Sequence, residues 1–458
     1  MKFKSTLILL GIAVVLLLVV LFLLPRKPAE ESAGAQGPWV TDLKAEDVER
    51  IVIGGPETIG LRKDEKGDWL LETPLQAPAD EFEVNRLAED LSRLRAERVA
   101  DEAPSDPSAY GIAGREVALW IKGRKEPIRI RVGDEHPVDG TLYARKDGEQ
   151  RVLLLPASVK VHLEKTPFDL RKKDIFGFDT SKVDRISLRS RENAWEAARR
   201  DGEWFLETPV KSLADRYGLE SVINSLSGLR AKEFVSEHKT DADLRACGLD
   251  EPDVEVGLSL PAEGREITFS LTRKDEKTFV ATSSSEKIVS AESSVFTDLG
   301  RKPQELREKG VDVFNAWEVE RLRVKSGKTE LALSKDEEGR WRFDSGGEAD
   351  GSKVESFLRR VDGLQAAEFI DRPGLAASYG LDNPRAEIVI GVKDFEGKAR
   401  EVILLVGAVN EEKKQAVIKN PRLGYLLRVD SSFLDDIPAS AEDWEKAENG
   451  GSADENEG

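Results

Sequence analysis

Apolar residues recur along this chain at two spacings, and the whole arrangement occurs three times. Val84, Leu87, Leu91 and Leu94 stand at offsets 0, 3, 7 and 10, which places them on one face of an α-helix. Leu219, Val222, Leu226 and Leu229 repeat those offsets, as do Val354, Phe357, Val361 and Leu364. Each stripe follows an Ala-Asp pair: Ala79-Asp80, Ala214-Asp215 and Ala349-Asp350. Aspartate there offers an N-cap oxygen, and Glu83, three residues after Asp80, predicts a capping box.

Short β-like runs flank each helix. Val48 to Ile53 is the first, and Trp69-Leu70-Leu71 follows a glycine turn and stops at Thr73-Pro74. Trp204 and Trp341 stand in the same place in the later copies, a spacing of about 135 residues. After the helix come Tyr110-Gly111-Ile112, Cys247-Gly248-Leu249 and Tyr379-Gly380-Leu381, where glycine supplies a positive φ or a close backbone approach. Alternating strands follow, at Val117, Leu119 and Ile121, then Ile128, Ile130 and Val132 before Gly133. In the third copy Val402, Leu404 and Val406 precede Gly407. The predicted class is α+β: three tandem repeats, each an antiparallel sheet with a capped amphipathic helix. The units fall at 39–176, 177–312 and 313–438. Leu170-Arg171-Lys172-Lys173 and Leu306-Arg307-Glu308-Lys309 join them, and the third unit lacks this basic joint after Phe433-Leu434.

The N-terminus changes the picture. Residues 7–24 carry no charge and are almost entirely Leu, Val and Ile; at about 1.5 Å each they span roughly 27 Å, near the hydrocarbon thickness of a bilayer. An uncleaved anchor over 1–27 is predicted, then a flexible linker over 28–38. The competing reading is a signal peptide cut near Ala33-Gly34-Ala35, but the apolar core is longer than such peptides use. Lys2 and Lys4 place the N-terminus in the cytoplasm and the repeats outside it. Residues 439–458 are predicted to be an acidic disordered tail; 441–458 hold seven carboxylates against one lysine.

Composition narrows function mostly by exclusion. The 458 residues carry a formal charge of -18, which argues against nucleic acid, since phosphate binding needs a cationic face. Cys247 is the only cysteine, so no intrachain disulfide or cysteine-based zinc site can form, and its expected role is a small half-buried hydrophobe. His136, His162 and His238 lack metal-ligand spacing. Ser326-Gly327-Lys328-Thr329 has the end of a phosphate-binding loop, but Leu322 stands where its glycine belongs. Gly55 and Gly60 have the spacing, but Leu61-Arg62 replaces the Lys-Ser/Thr pair; both places read as hairpin turns. Ser284 and Lys287 form an S-x-x-K without its companion motifs. The recurrent aspartates are explained by capping and the recurrent tryptophans by core packing. No catalytic, cofactor-binding or metal-binding residue is assigned, no cofactor is implied, and no enzyme activity is expected.

The repeated Gly-x-Trp-x-Leu-x-Thr-Pro, Ala-Asp-helix and Tyr-Gly-Leu elements behind one membrane helix resemble the bacterial domain-of-unknown-function family 4340. The likeness is clearest from Gly67-Asp68-Trp69 to Leu94-Arg95-Ala96 and in its second copy, Gly202-Glu203-Trp204 to Leu229-Arg230-Ala231. In the third copy Ser345-Gly346 replaces Thr-Pro. Members are often encoded beside ABC-type transporters and gliding-type auxiliary subunits, which implies an accessory envelope role. The expectation is therefore a single-pass bacterial inner-membrane protein whose periplasmic repeats are a non-catalytic scaffold for an ABC-transporter-like or envelope complex. An envelope glycan- or peptide-binding module is the alternative, and a hydrolase stands behind it. Oligomeric state is left open. Specific function is expected where the copies differ, at 282–287, at 411–424 or between units.

Overall fold

One helix joining the two edges of a curled sheet is the unit of this structure. The computed structural model describes residues 37–112, 114–174, 176–393 and 399–446. The predicted anchor, most of the linker and residues 447–458 of the tail lie outside them. Among the described residues no helix is long and apolar enough to cross a membrane.

The first repeat contains β1 (Val48–Ile53), β2 (Ile59–Lys63), β3 (Trp69–Thr73), β4 (Ala77–Pro78), α1 (Glu81–Ser92), β5 (Arg98–Asp101), β6 (Arg115–Ile121), β7 (Ile128–Glu135), β8 (Leu142–Lys146) and β9 (Val152–Leu155). Its sheet runs β4-β3-β2-β1-β6-β7-β8-β9-β5, antiparallel throughout. The helix thus leaves one edge strand and delivers the chain to the other. Nine strands at about 4.8 Å would span roughly 38 Å if flat, against about 18 Å for a twelve-residue helix. The sheet must curl round the helix, which explains the long apolar stripe. Val84, Leu87 and Leu91 are buried with Ala88 in one core, each large side chain contributing about 1.5–3 kcal/mol.

A second nine-stranded sheet repeats this order round the helix Arg216–Ser227. A third, of eight strands, surrounds Gly351–Asp362 and lacks the strand matching β4; the bridge Arg342↔Glu348 stands there instead. The chain forms two compact units that divide after Lys173, one holding the first repeat and the other the second and third.

The recurrent residues have local explanations. Trp69, Trp204 and Trp341 are all buried, and each lies beneath a cation placed opposite it on the adjacent strand. Those cations are Lys63 at 5.0 Å, Arg199 at 5.0 Å and Lys335 at 5.2 Å from the ring centroids. The tryptophans are core anchors, and none can serve as a ligand-stacking platform. Gly133 and Gly407 serve close approach: a Cβ would lie 2.1 Å from the carbonyl oxygen of Tyr110 or Tyr379. The second repeat has Thr272 there, whose hydroxyl donates to Gly248 O at 2.9 Å.

Two expectations need correction. Asp80 caps α1 by accepting from Glu83 N at 3.2 Å, but no capping box forms. The Asp80 N–H donates instead to Leu170 O at 2.9 Å, and the Glu83 carboxylate pairs with Lys165. Asp215 N and Asp350 N likewise donate to Leu306 O and Trp444 O. The second correction follows from that last bond. Residues 440–446 belong to the third repeat and not to a tail: Ala441–Trp444 is a 3-10 turn, Trp444 is buried against Phe357, and Glu445 bridges Ala349. The third repeat therefore has a joint segment after all, with Glu445 in the place of Arg171 and Arg307.

Candidate functional site at the joint of the second and third repeats

Polar side chains converge most densely where the second repeat hands over to the third. Residues 306–310 lie along the edge of one sheet and then of the next. Asp215 N donates to Leu306 O, Ala214 bridges Arg307, and Glu308 N donates to Leu213 O. Two residues on, Lys309 O accepts from Ala366 N and Gly310 bridges Gln365, beside the edge strand Ala366–Ile370.

Arg307 turns inward at this crossing. Its side chain is 4% exposed and forks onto Asp371, with N···O distances of 2.7 and 3.1 Å. Its guanidinium carbon lies 3.6 Å from the Phe369 ring centroid and 5.0 Å from that of Tyr425. The Tyr425 oxygen accepts from Leu213 N at 3.3 Å, and burial pushes the phenol up to about 12.

Five residues further on sits a second, fully enclosed group. The Asp312 carboxylate is 0% exposed. It accepts from Arg422 Nη2 at 2.6 Å and Nε at 3.0 Å, from Asn420 Nδ2 at 2.6 Å, from Arg400 Nη1 at 3.2 Å and from Val313 N at 2.7 Å. Arg422 reaches back to Glu203 of the second repeat, at 2.7 and 3.2 Å. A buried carboxylate this well supplied with donors holds its partners in fixed directions. It has no open face on which to do acid–base chemistry.

The segments singled out for divergence are thus largely taken up within the fold. Residues 411–424 supply Asn420 and Arg422 to the joint. The loop 282–287 is held by Lys239, whose Nζ donates to Thr282 O at 2.6 Å and Ser285 O at 2.5 Å. Ser326 pairs with Thr329 across a two-residue turn with Gly327 at φ 57°, so the phosphate-loop likeness is a hairpin. Gly55 lies in the turn after β1, and Gly60 is within β2. Cys247 is buried with Leu249, Ala281 and Ile288, and burial pushes its thiol up, away from the nucleophilic form.

The histidines are dispersed. His136 Nδ1 lies 2.8 Å from Asp139 within one turn, and His162 Nε2 lies 2.9 Å from Asp90 on α1. Burial, opposed by Asp90, holds His162 below the usual histidine range. His238 lies in the turn before the helix Asp241–Cys247, its carbonyl accepting from Ser236 Oγ. The Asp312 hub had no sequence signal beyond the basic joint, because its partners lie 88 to 110 residues away.

Three curled sheets repeated along the chain, the second and third joined by an edge-sharing segment, define a repeat protein of α+β units. The chain belongs to the family described as Domain of unknown function (DUF4340), which matches it at residues 69–252, 204–384 and 341–448. Each match opens on one of the buried tryptophans, and the first two run through a joint into the following repeat, as far as Pro252 and Pro384. No curated protein matches the chain. Among solved structures, a DNA polymerase sliding clamp from Pseudomonas aeruginosa aligns over 88% of this chain and 96% of its own at 10% identity, with a TM-score of 0.17. The DNA polymerase III subunit beta from the same organism aligns over 84% and 92% at 9% identity, also at 0.17. Alignments of that quality carry no argument about fold or function.

Proposed function

We propose that the protein is a membrane-anchored scaffold: a single-pass inner-membrane protein whose extracytoplasmic repeats serve a transporter-like or envelope complex without catalysing a reaction. One observation supports this most. Two polar residues that distinguish the third repeat, Asp371 and Arg422, pair with Arg307 and Glu203 of the second, and Asp312 holds Arg422 in place for that contact. Rigid spacing is what a scaffold requires, and the apolar stretch at 7–24 would tether it to the bilayer. Affinity purification of the full chain from gently solubilised membranes is the test. Recovery of a defined membrane-protein partner is expected; repeated recovery of the chain alone would overturn the reading.

A second reading, a ligand-binding module, is favoured at one place. Arg50 stacks 4.5 Å over Trp120 beside an open cleft of about 710 Å³ in the first repeat, also lined by Lys66 and Lys122. Ser259 and Gly391 occupy the position of Trp120 in the sibling sheets. Cell-wall glycan fragments titrated against the intrinsic fluorescence should then give a saturable change that Trp120→Ala removes. A flat titration would dismiss this reading.

A further inference from the structure

Each repeat closes alike after its last long strand, and the three closures differ in one polar contact. In the first repeat the chain leaves β9, forms the short helix Val159–Leu163 and crosses α1, with His162 beside Asp90 and Lys165 on Glu83. It then reaches Leu170–Lys172, where Asp80 N donates to Leu170 O, Ala79 bridges Arg171 and Lys172 N donates to Pro78 O. Val159 and Leu163 hold this strap to the core. The second repeat builds its strap on Val295–Leu299 and the third on Ser431–Asp436, with Val295, Leu299 and Phe433 buried.

One strap position meets the central helix in all three repeats. His162, Asp298 and Asp436 stand eight residues before Leu170, Leu306 and Trp444, whose carbonyls receive the three capping aspartates. Asp436 accepts from Arg360 Nε at 2.9 Å, and Arg360 stands ten residues after Asp350 as Asp90 stands after Asp80. Asp298 accepts from Ser221 Oγ at 2.9 Å, one turn earlier on its helix. The first repeat reverses this arrangement. Its acid, Asp90, is on the helix, and the strap carries a histidine.

The His162 side chain is 14% exposed, and its Nε2 lies 2.9 Å from Asp90. Its Nδ1 is buried without a hydrogen-bond partner among the described residues. With Nε2 aimed at a carboxylate, the neutral ring carries its proton there and leaves Nδ1 a bare lone pair. A second proton must go to Nδ1, where no group accepts it and water does not reach. The charged groups facing the ring are Asp90 and Arg86 of α1 and Lys165 of the strap. Lys165 is held by Glu83, and Lys160 by Glu135 at the end of β7. Burial, Lys165 and Arg86 oppose the second proton, and Asp90 favours it.

We propose that His162 and Asp90 form a pH-sensitive latch that releases the strap of the first repeat in mild acid. The closed latch holds the ring below the usual histidine range, so the open strap takes up a proton that the closed one does not. Its contribution to stability is therefore complete above about pH 6.5 and is lost as pH falls below it. The sibling straps have no histidine at the contact and stay closed. Release loosens the stretch that delivers the chain to Leu170–Lys172, so acid acts on the exit from the first repeat. The inference goes beyond the scaffold reading and does not depend on it.

Hydrogen exchange of the full chain in detergent tests it, read by mass spectrometry on peptides covering 156–170, 292–306 and 430–444. Between about pH 7.5 and about pH 5.5, after correction for intrinsic rates, the first stretch should lose at least about threefold more protection than the other two. His162→Gln keeps a donor for Asp90 but takes up no proton, so it should remove that difference. His136→Gln and His238→Gln should leave it intact. Far-ultraviolet circular dichroism confirms that each variant is folded. If His162→Gln opens the strap at both pH values, nuclear magnetic resonance titration of the labelled wild-type histidines decides. His162 should then titrate below about pH 6.5, in step with the loss of protection; a higher midpoint refutes the latch. Equal losses in the three stretches, a first stretch that gains protection in acid, or a His162→Gln variant that keeps the acid loss overturns the proposal.

Discussion

Phe176 and Asp312 occupy the same position in two lead-in segments, six residues after Leu170 and Leu306. Both are buried, yet they close their sheets by opposite chemistry. Phe176 lays its ring edge-on to Phe269 at 5.5 Å, and Phe178 adds a second edge contact at 6.1 Å. Asp312 gathers two arginines and an asparagine. In the first repeat the corresponding residue is Thr41, whose hydroxyl donates to Leu91 O at 2.6 Å and accepts from Leu94 N at 3.0 Å. The position demands only that whatever is buried be satisfied on the spot. An apolar closure degrades gradually when trimmed, whereas an ionic one fails abruptly when a member is removed.

That contrast sets the order of expected effects. Asp312→Ala should cost about 3–5 kcal/mol, because Arg400 loses its counter-charge, Arg422 keeps only Glu203 at the rim, and the Asn420 amide is left facing a hole. Urea unfolding would read it, and the loss should persist in high salt since the hub is enclosed. A loss below 1 kcal/mol would mean that the hub is not closing the sheet. Phe176→Leu keeps an apolar filling and should cost about 1 kcal/mol in the same measurement. If it matched Asp312→Ala, the gradual-versus-abrupt distinction would be lost.

The next effect is a pH dependence. Tyr425 is held up to about 12 by burial, above the free value of about 10, so its neutral form is favoured in the folded state. The stability tied to it is complete below pH 10 and drains away as pH rises from about 10 towards 12. Tyr425→Phe should remove that alkaline component from a stability-versus-pH series, and an unchanged profile would refute the assignment. The smallest effect belongs to Glu203→Gln, at about 0.5 kcal/mol, since its pairing with Arg422 is partly solvated. High salt should abolish that difference; if it does not, the pair belongs with the hub rather than the rim.

Much of this architecture was legible in the sequence because its causes are local. The helix stripes, the Asp caps, the buried tryptophans and the glycine turns each follow from residues within a few positions of one another. What was hidden depends on distance. Asp80 uses its N–H on Leu170, ninety residues away, and so the expected capping box is displaced. Asp312 looks like a loop carboxylate until residues 400–422 fold over it. The acidic composition of 441–458 conceals Trp444, although a tryptophan amid carboxylates was itself a sign that something there is buried. The site was less legible than the fold because it is made where the repeats cease to be alike.

The joint at 306–310 has a mechanical consequence. Its backbone is bonded sideways to the edge at Leu213 and Ala214 and then to the edge at Gln365 and Ala366. Tension along the chain therefore loads these bonds together, in shear, before it can peel any one of them. Pulled between its ends, this pair of repeats should yield inside a sheet sooner than at the seam, so the seam can carry a load from one repeat to the next.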